Sequence, residues 1–280
     1  MKKTVLGAVL GAGLVAGPAF AQSTTTWNGL PDRFQVDAGY FGIKSETTLR
    51  FNGGANAGDE INFEKDLGLD QSSNTFWVDG TWRVGRRHTL KLGYTRLSRD
   101  RQNYQLQRDV NWGGIVFGTS LDVTPSTSSN IFSGYYRFAI YRNDRFEIGP
   151  AVGVGHLSIS AEIRATATIT IPGGSTTQTL LDRSASTGSV TGAVGGYTEG
   201  WLTKRLQAQG DFLYIKVKPG NSTASVSDWR VGANYYFFKN AGIGVQYKYD
   251  RYQYDRGVLA TELGGKITYK GTQVFATFRF

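Results

Sequence analysis

The sequence contains no cysteine, and only two histidines occur among its 280 residues. Without cysteine the chain has no disulfides and no thiolate metal ligands, and a paired-histidine metal motif is also missing. No glycine-rich phosphate loop follows a predicted strand. We therefore expect neither a metal nor another cofactor, and we expect that the protein is not an enzyme unless one of its two histidines has a catalytic role.

The sequence also lacks an apolar run long enough for a transmembrane helix. Its amino-terminal run from Thr4 to Ala16 is 13 residues long, whereas a span needs about 20. This run follows Lys2 and Lys3 and precedes Ala19-Phe20-Ala21, which places small residues where a signal peptidase cleaves. We predict a cleaved signal peptide over residues 1–21 and a single domain over residues 22–280. A retained membrane helix is the alternative, and the short run disfavours it.

Glycine and aromatic residues are abundant, with 37 Gly, 16 Phe, 15 Tyr and 6 Trp. This composition is typical of β-barrels with aromatic girdles. The formal net charge of +9 falls to about +7 without Lys2 and Lys3, so the surface is basic. A basic surface suggests nucleic acid or anionic lipid as a partner. Export excludes nucleic acid and leaves anionic lipid.

Alternation of apolar and polar residues with a period of two predicts strands along most of the chain. The pattern gives ten of them: 34–51, 76–84, 90–95, 132–140, 146–163, 190–202, 207–214, 229–237, 243–250 and 272–280. Eight or twelve strands stay open because 61–66 and 115–123 are ambiguous. Short connections alternate with longer ones such as 98–129 and 164–188, which predicts an all-β, antiparallel, up-and-down barrel with its long loops on one side.

Two of these strands change phase beside a glycine. The apolar positions move by one residue past Gly42 in the first strand and at Gly155 in the fifth. A shift of one residue is what a β-bulge produces, so the sequence predicts a bulge beside Gly42.

The last nine residues end on Phe280, with Phe278, Ala276 and Val274 on the same face. In this respect the chain resembles Gram-negative outer-membrane β-barrel proteins, including the small outer-membrane protein A-like barrels. The resemblance implies that Phe278 and Phe280 form the signal read by the barrel-insertion machinery. The turn Asp66-Leu67-Gly68-Leu69-Asp70 is similar to one in an uncharacterised group of outer-membrane barrels, which implies a location and a fold but no activity. A water-soluble, lipocalin-like barrel is the alternative fold.

If the apolar faces meet lipid, the polar faces line the interior of the barrel. The predicted inward charges are Asp79, Arg83, Lys91, Arg137, Glu147, Glu162, Asp211, Asp228, Arg230, Lys248, Asp250 and Arg279. Opposite charges in a narrow interior should pair, because an unpaired buried charge is costly. Two hypotheses stay open: a plug of ion pairs that only stabilises the barrel, and a narrow path for small polar solutes.

His156, Ser158 and Glu162 are the candidates for catalysis. Residues two apart in a strand share a face, and a histidine beside a serine can activate it. The arrangement is similar to the His-x-Ser element of outer-membrane lipid A deacylases. That family places its acid about a dozen residues past the serine, where this chain has Thr170. The phase change at Gly155 leaves the facing of His156 open, and His88 is predicted to be a solvated residue after a turn.

The predicted outer loops carry eight basic residues: Arg99, Arg101, Arg108, Arg164, Arg183, Lys218, Arg251 and Arg256. Guanidinium groups bind phosphate bidentately, so a lipopolysaccharide-binding rim and an ordinary solvated loop face are both open. The sequence favours an integral outer-membrane barrel that is a structural or surface-interaction protein or a narrow channel. A lipid A-modifying hydrolase is the alternative function. The expected partners are outer-membrane lipid, lipopolysaccharide and the insertion machinery.

Overall fold

A computed structural model describes eight stretches of the chain: 33–51, 59–102, 104–112, 115–119, 122–171, 174–218, 223–255 and 263–280. The predicted signal peptide, residues 1–21, lies outside these stretches. Over the same stretches, we find no helix whose length and apolar character would let it cross a bilayer.

The described residues form fifteen strands. They are β1 (Phe34–Phe51), β2 (Glu60–Asn62), β3 (Ser72–Arg83), β4 (His88–Asp100), β5 (Tyr104–Gln105), β6 (Val110–Trp112), β7 (Ile115–Phe117), β8 (Asp122–Phe138), β9 (Tyr141–Arg142), β10 (Phe146–Ile171), β11 (Gly174–Trp201), β12 (Leu206–Val217), β13 (Thr223–Tyr236), β14 (Ala241–Asp255) and β15 (Leu263–Arg279).

Ten long strands, β1, β3, β4, β8 and β10 to β15, each pair antiparallel with the next, and β15 closes the barrel against β1. The closed, ten-stranded, all-β barrel predicted from the alternation is therefore confirmed. Closure pairs each strand of the ring with two neighbours. In the described residues beyond the ring, β11 pairs with β10 alone from residue 174 to 193.

The two ends of the barrel differ. Four short connections, 84–87, 139–145, 202–205 and 237–240, lie at one end together with Arg33 and Phe280; we call this the turn end. The opposite loop end carries the longer connections. There, β10 and β11 stay paired up to Ile171 and Gly174, so the predicted loop 164–188 is a projecting hairpin. The predicted loop 98–129 is shorter than expected, because β8 already begins at Asp122.

The phase changes in the sequence are not bulges. The register of β1 against β15 runs without a shift from Gln35↔Arg279 to Phe51↔Leu263, so Gly42 lies in a regular ladder. The register of β10 is likewise continuous past Gly155, and its single irregularity against β11 falls between Ala165 and Thr166. The prediction of a bulge beside Gly42 was wrong.

The strand pairing stays regular, and what changes along the strand is the polarity of its inward and outward faces. On β1 the buried, inward side carries Asp37 near the turn end and Phe41 and Ile43 further along the same face. The outward side changes in the opposite sense, from exposed Tyr40 to exposed Lys44. Near the turn end the barrel is therefore apolar outside and charged inside. Near the loop end it is polar outside and apolar inside, as in a water-soluble protein.

Aromatic pairs bound the outward apolar belt at both edges. At the turn end the rings of Phe34 and Trp82 stack with centroids 5.9 Å apart. Towards the loop end, Tyr94 and Phe132 lie 4.6 Å apart on neighbouring strands. Between these edges the belt exposes aliphatic side chains, and 56% of Val231 is accessible. Two aromatic edges around an aliphatic zone are typical of a barrel that spans a bilayer.

Candidate functional site

The interior near the turn end holds a concentrated set of charges. Ten side chains predicted to face the lumen are all buried: Asp79, Arg83, Lys91, Arg137, Glu147, Asp211, Asp228, Arg230, Lys248 and Asp250. Because their outward neighbours on each strand form the apolar belt, these side chains project into the barrel. Arg279 is buried on the same side.

Arg230 on β13 is the centre of this set. Its Nη1 donates to Asp79 Oδ2 at 2.8 Å, and its Nε lies 3.4 Å from Asp211 Oδ2. The guanidinium also stands over the ring of Tyr135, with Cζ 5.0 Å from the centroid. One cation thus joins side chains from three other parts of the barrel wall.

Further pairs extend the network across the interior. Lys91 Nζ lies 3.4 Å from Asp79, which therefore meets two cations. Lys248 pairs with Asp250 at 2.7 Å, and Arg137 donates to Asp211. In a poorly hydrated interior, opposite charges that are hydrogen-bonded offset much of one another's desolvation cost. This arrangement can fill the barrel and fix the relative positions of its strands.

The sequence pattern missed several members of this network. Tyr135 donates its hydroxyl to Asp228, and Glu199 on β11 accepts from Arg279 Nη2 at 2.9 Å. Glu199 was assigned to no face because β11 alternates weakly around its glycines. Tyr135 fell on the predicted polar face, but its hydroxyl gave no indication of the distant carboxylate it contacts.

Towards the loop end the interior becomes a hydrophobic core. Leu157, Ile159 and Ile163 of β10 point inward, so the apolar residues past Gly155 lie on the core side of the strand. Phe275, an apparent break in the pattern of the last strand, contacts Trp77 with ring centroids 5.1 Å apart. Phe275 therefore faces inward and belongs to this core.

Two connections pack onto this core, and we call residues 59–71, 104–112 and 115–119 together the cap. The first contributes Ile61, Phe63, Leu67 and Leu69, which are at most 2% accessible. Phe63 meets Trp112 of the second edge to face, with centroids 5.7 Å apart. All these side chains belong to one cluster with the inward residues of the barrel wall. The cap therefore covers the interior at the loop end.

The Asp66–Asp70 turn is part of the cap. Gly68 adopts a φ of +65°, which favours glycine, and a Cβ there would collide with the ring of Tyr104. Leu67 and Leu69 on either side are buried. Arg108 Nη2 donates to Asp66 Oδ2 at 2.9 Å. Partial burial raises the pKa of the Asp66 carboxyl, but the hydrogen bond from Arg108 and other favourable contacts outweigh it and leave the pKa below its ordinary value.

A buried ion pair attaches the cap to the barrel wall. Arg99 on β4 donates through Nη1 to Glu64 Oε1 at 2.7 Å and through Nη2 to Thr47 Oγ1 at 2.7 Å. Glu64 Oε2 accepts from the backbone N–H of Thr47, also at 2.7 Å. Arg99 was predicted to be an outer-loop residue, either solvated or binding phosphate. That expectation was wrong, because β4 continues to Asp100 and turns Arg99 inward.

Three of the other seven basic residues of the predicted rim, Arg101, Arg108 and Arg164, lie beside acids. Arg101 pairs with Asp70 at 3.2 Å, and Arg164 pairs with Glu162 at 2.7 Å. Lys218 is exposed, and Arg251 donates to Gln253. The side chain of Arg183 and residue 256 lie outside the described part of the structure. Local acids thus neutralise much of the rim charge that the sequence suggested.

His156 lies on the outward face of β10, level with Phe132 of β8 and Val190 of β11. Ser158 shares that face. Glu162 shares it too, so the prediction that Glu162 points inward was wrong. In the described residues, no hydrogen bond joins His156 to Ser158 or Glu162, and Glu162 instead accepts from Arg164. The outward position gives access from the surroundings, but the three groups do not form a hydrogen-bonded relay.

Phe278 and Phe280 lie at the turn end. Phe278 is exposed in the outward belt, and Phe280 is 58% accessible. The carbonyl of Phe280 accepts from the backbone N–H groups of Arg33 and Phe34, at 3.1 and 3.0 Å. The last residue is therefore tied by its backbone, while its side chain stays outside the barrel.

No protein-family profile matches the chain, and no curated protein sequence matches it. Among solved structures, 75 chains match. One is the outer membrane protease OmpT of Escherichia coli, 12% identical, with 92% of this chain and 99% of that chain covered and a TM-score of 0.55. Another is Ail, the attachment invasion locus protein of Yersinia pestis, 10% identical, with 88% and 100% covered and a TM-score of 0.34. A third is the toluene transporter TodX of Pseudomonas putida, 8% identical, with 92% of each chain covered and a TM-score of 0.33.

At these identities the similarity concerns the fold alone. The barrel closure, the outward apolar belt and the match with OmpT agree, so the chain has the fold of an outer-membrane β-barrel.

Proposed function

We propose that the protein is an integral barrel of the Gram-negative outer membrane, with the turn end in the periplasm and the loop end outside. The apolar belt between two aromatic edges supports the location, because its exposed aliphatic side chains suit lipid better than water. The polar exterior near the loop end supports the orientation, since long extracellular loops extend beyond the bilayer in such barrels.

Within that location, the protein acts as a structural or surface-interaction protein whose barrel does not conduct solutes. The observation that carries this proposal is the filled interior. The network around Arg230 occupies the half near the turn end, and the hydrophobic core under the cap occupies the other half. A barrel of this strand number is narrow enough for side chains to fill, whereas wide channels need about sixteen strands.

Conductance in planar bilayers tests this proposal. The refolded protein should give no steady current above the lipid background. A triple variant with Lys91, Arg137 and Arg230 replaced by alanine is the positive control, because it removes three buried cations of the network. If it folds, as judged by heat-modifiable mobility, it should conduct and show that the assay detects an opened barrel. A steady current through the unmodified protein would instead support the narrow channel.

A further inference from the structure

Each of the four connections at the turn end combines an exposed basic side chain with an exposed apolar one. These combinations are Val84 with Arg86 and Arg87, Ile140 with Arg145, Leu202 with Lys204 and Arg205, and Phe238 with Lys239. The same connections contain one acidic side chain, that of Asp144. The turn end is therefore a surface that is both basic and apolar.

Four of the basic side chains are available to an outside partner. Arg86, Arg87, Arg205 and Lys239 are exposed, and within the part of the chain that the structure describes they form no side-chain ion pair. The loop end differs, because three of its exposed arginines lie beside carboxylates. The turn end thus has a positive charge that its own acids do not neutralise.

The connections are too short to carry these cations away from the apolar belt. Lys239 directly follows exposed Phe238, and Arg86 lies two residues past exposed Val84, a rise of at most about 7 Å. The headgroup layer of a bilayer is about 5–8 Å deep on each side of the hydrocarbon core. If lipid surrounds the belt, the cations lie at the depth of the headgroups, and their long side chains can reach along the apolar surface.

We propose that the turn end binds anionic phospholipids of the periplasmic leaflet through their headgroups. The proposal rests on the membrane location and orientation proposed above. Guanidinium groups donate in pairs to phosphate oxygens, and each Lys or Arg near an anionic membrane surface strengthens the attraction about fivefold. In a zwitterionic lipid the ammonium group balances the phosphate, so the surface should select lipids with a net negative charge.

The apolar half of the surface favours a lipid over a soluble anion. A soluble phosphate compound would pair with the cations but would leave Leu202 and Phe238 in water. A phospholipid satisfies both, because its acyl chains meet the apolar side chains while its phosphate meets the neighbouring cations. The partner is therefore a molecule with an apolar part and an anionic part.

Lipid uptake by the refolded, full-length protein tests the proposal. The protein in detergent micelles is mixed with equal amounts of phosphatidylglycerol and phosphatidylcholine that carry the same acyl chains, and the bound lipids are counted by native mass spectrometry. We expect phosphatidylglycerol to be enriched on the order of fivefold or more. The enrichment should fall as salt is added, because salt screens exposed charges.

A turn-end variant removes the available cations. It carries Arg86→Gln, Arg87→Gln, Arg205→Gln and Lys239→Gln, and it should bind the two lipids in nearly equal amounts. All four side chains are exposed, so the variant should fold, as judged by heat-modifiable mobility.

A loop-end variant is the matched control, because it changes the net charge by the same amount at the opposite end. It carries Arg101→Gln, Arg108→Gln, Arg164→Gln and Lys218→Gln, all at exposed positions. This variant should keep the enrichment of the unmodified protein. Loss of the enrichment here, and not in the turn-end variant, would place the anionic lipid at the rim and overturn the proposal.

The remaining outcomes separate this proposal from the membrane location on which it rests. Uptake of both lipids in equal amounts by the unmodified protein would overturn the headgroup selectivity and leave the location intact, whereas uptake of neither lipid would count against the location itself. Glycerol 1-phosphate, added at the concentration of the lipids, should not displace phosphatidylglycerol. Displacement would overturn the proposal, because it would identify a soluble anion as the partner.

Discussion

Arg99 Nη1 lies 2.7 Å from Glu64 Oε1, and this buried contact joins the barrel wall to the cap. Both side chains are at most 4% accessible, so neither charge can turn to water if the other is removed. The pair therefore couples the position of the cap to the fold of β4. It lies next to the hydrophobic core, where the cap side chains Phe63 and Leu67 are fully buried.

Replacing Glu64 with glutamine should destabilise the protein by about 3–5 kcal/mol, because the Arg99 charge stays buried without its carboxylate. Urea unfolding of the refolded barrel measures this loss, and limited proteolysis of residues 59–71 reports whether the cap has loosened. Asp70→Asn is the control. Its pair with Arg101 is exposed and should contribute only about 0–1 kcal/mol.

A double variant separates charge burial from packing. Glu64→Leu with Arg99→Met removes both charges and keeps apolar volume, so it should be more stable than Glu64→Gln alone. If the double variant is instead the less stable of the two, the hydrogen bonds to Thr47 matter more than the buried charge.

The alternating pattern predicted the strands well because each strand has two faces in different surroundings. It failed at Gly42 and Gly155 because the surroundings of both faces change along the strand. A bulge and an exchange of environments both move the apolar positions by one residue, and the sequence of one strand does not distinguish them. Only the register with the neighbouring strand does.

The candidate site was predictable in part for a related reason. Side chains alternate between the two faces of a strand, so a polar residue between lipid-facing apolar residues must point into the barrel. This alternation identifies Asp79 and Arg230 as interior residues. Their partnership is not in the pattern, because 151 residues separate them in the chain. The cap was missed because Glu64 and the leucines of the Asp66–Asp70 turn resemble an ordinary surface loop.

The outward face of the barrel is apolar near the turn end and polar near the loop end. We therefore expect a new outward charge to be destabilising in the apolar belt and tolerated near the loop end. Val231→Arg places a cation in the apolar belt and should cost up to about 2–4 kcal/mol if lipid surrounds it. Ser160→Arg makes a comparable outward change near the loop end, where Ser160 is exposed among polar residues, and should change stability by less than about 0.5 kcal/mol. Unfolding in lipid vesicles measures both. Equal costs would contradict the placement of the bilayer around the turn-end half.

The terminal phenylalanine can be tested without disturbing its backbone contacts. Phe280→Ala keeps the hydrogen bonds of the Phe280 carbonyl with Arg33 and Phe34 but removes the side chain that resembles an insertion signal. We expect a lower folded, heat-modifiable fraction in the outer membrane. Phe212→Ala is matched in residue type and exposure, at 54% against 58%, and should be inserted more efficiently. An equal loss in both variants would mean that general hydrophobicity, and not the terminus, is what matters.

His156 provides the test of the hydrolase alternative. His156 faces outward at the loop-end edge of the apolar belt, where an enzyme that acts on lipid would need it. Ser158 shares that face. A histidine that activates a serine also needs a hydrogen bond to it and an acid to orient the ring. Glu162 is instead held by Arg164, which in turn contacts Asp182 at 3.3 Å.

We therefore expect that the lipid A of cells producing the protein keeps all its acyl chains, as measured by mass spectrometry. His156→Ala should leave that spectrum unchanged. The Arg164→Gln variant is the sharper control, because it releases Glu162 without altering His156 or Ser158. Loss of an acyl chain in cells with the unmodified protein, restored by His156→Ala, would show that the outward histidine is catalytic and would replace the structural role with an enzymatic one.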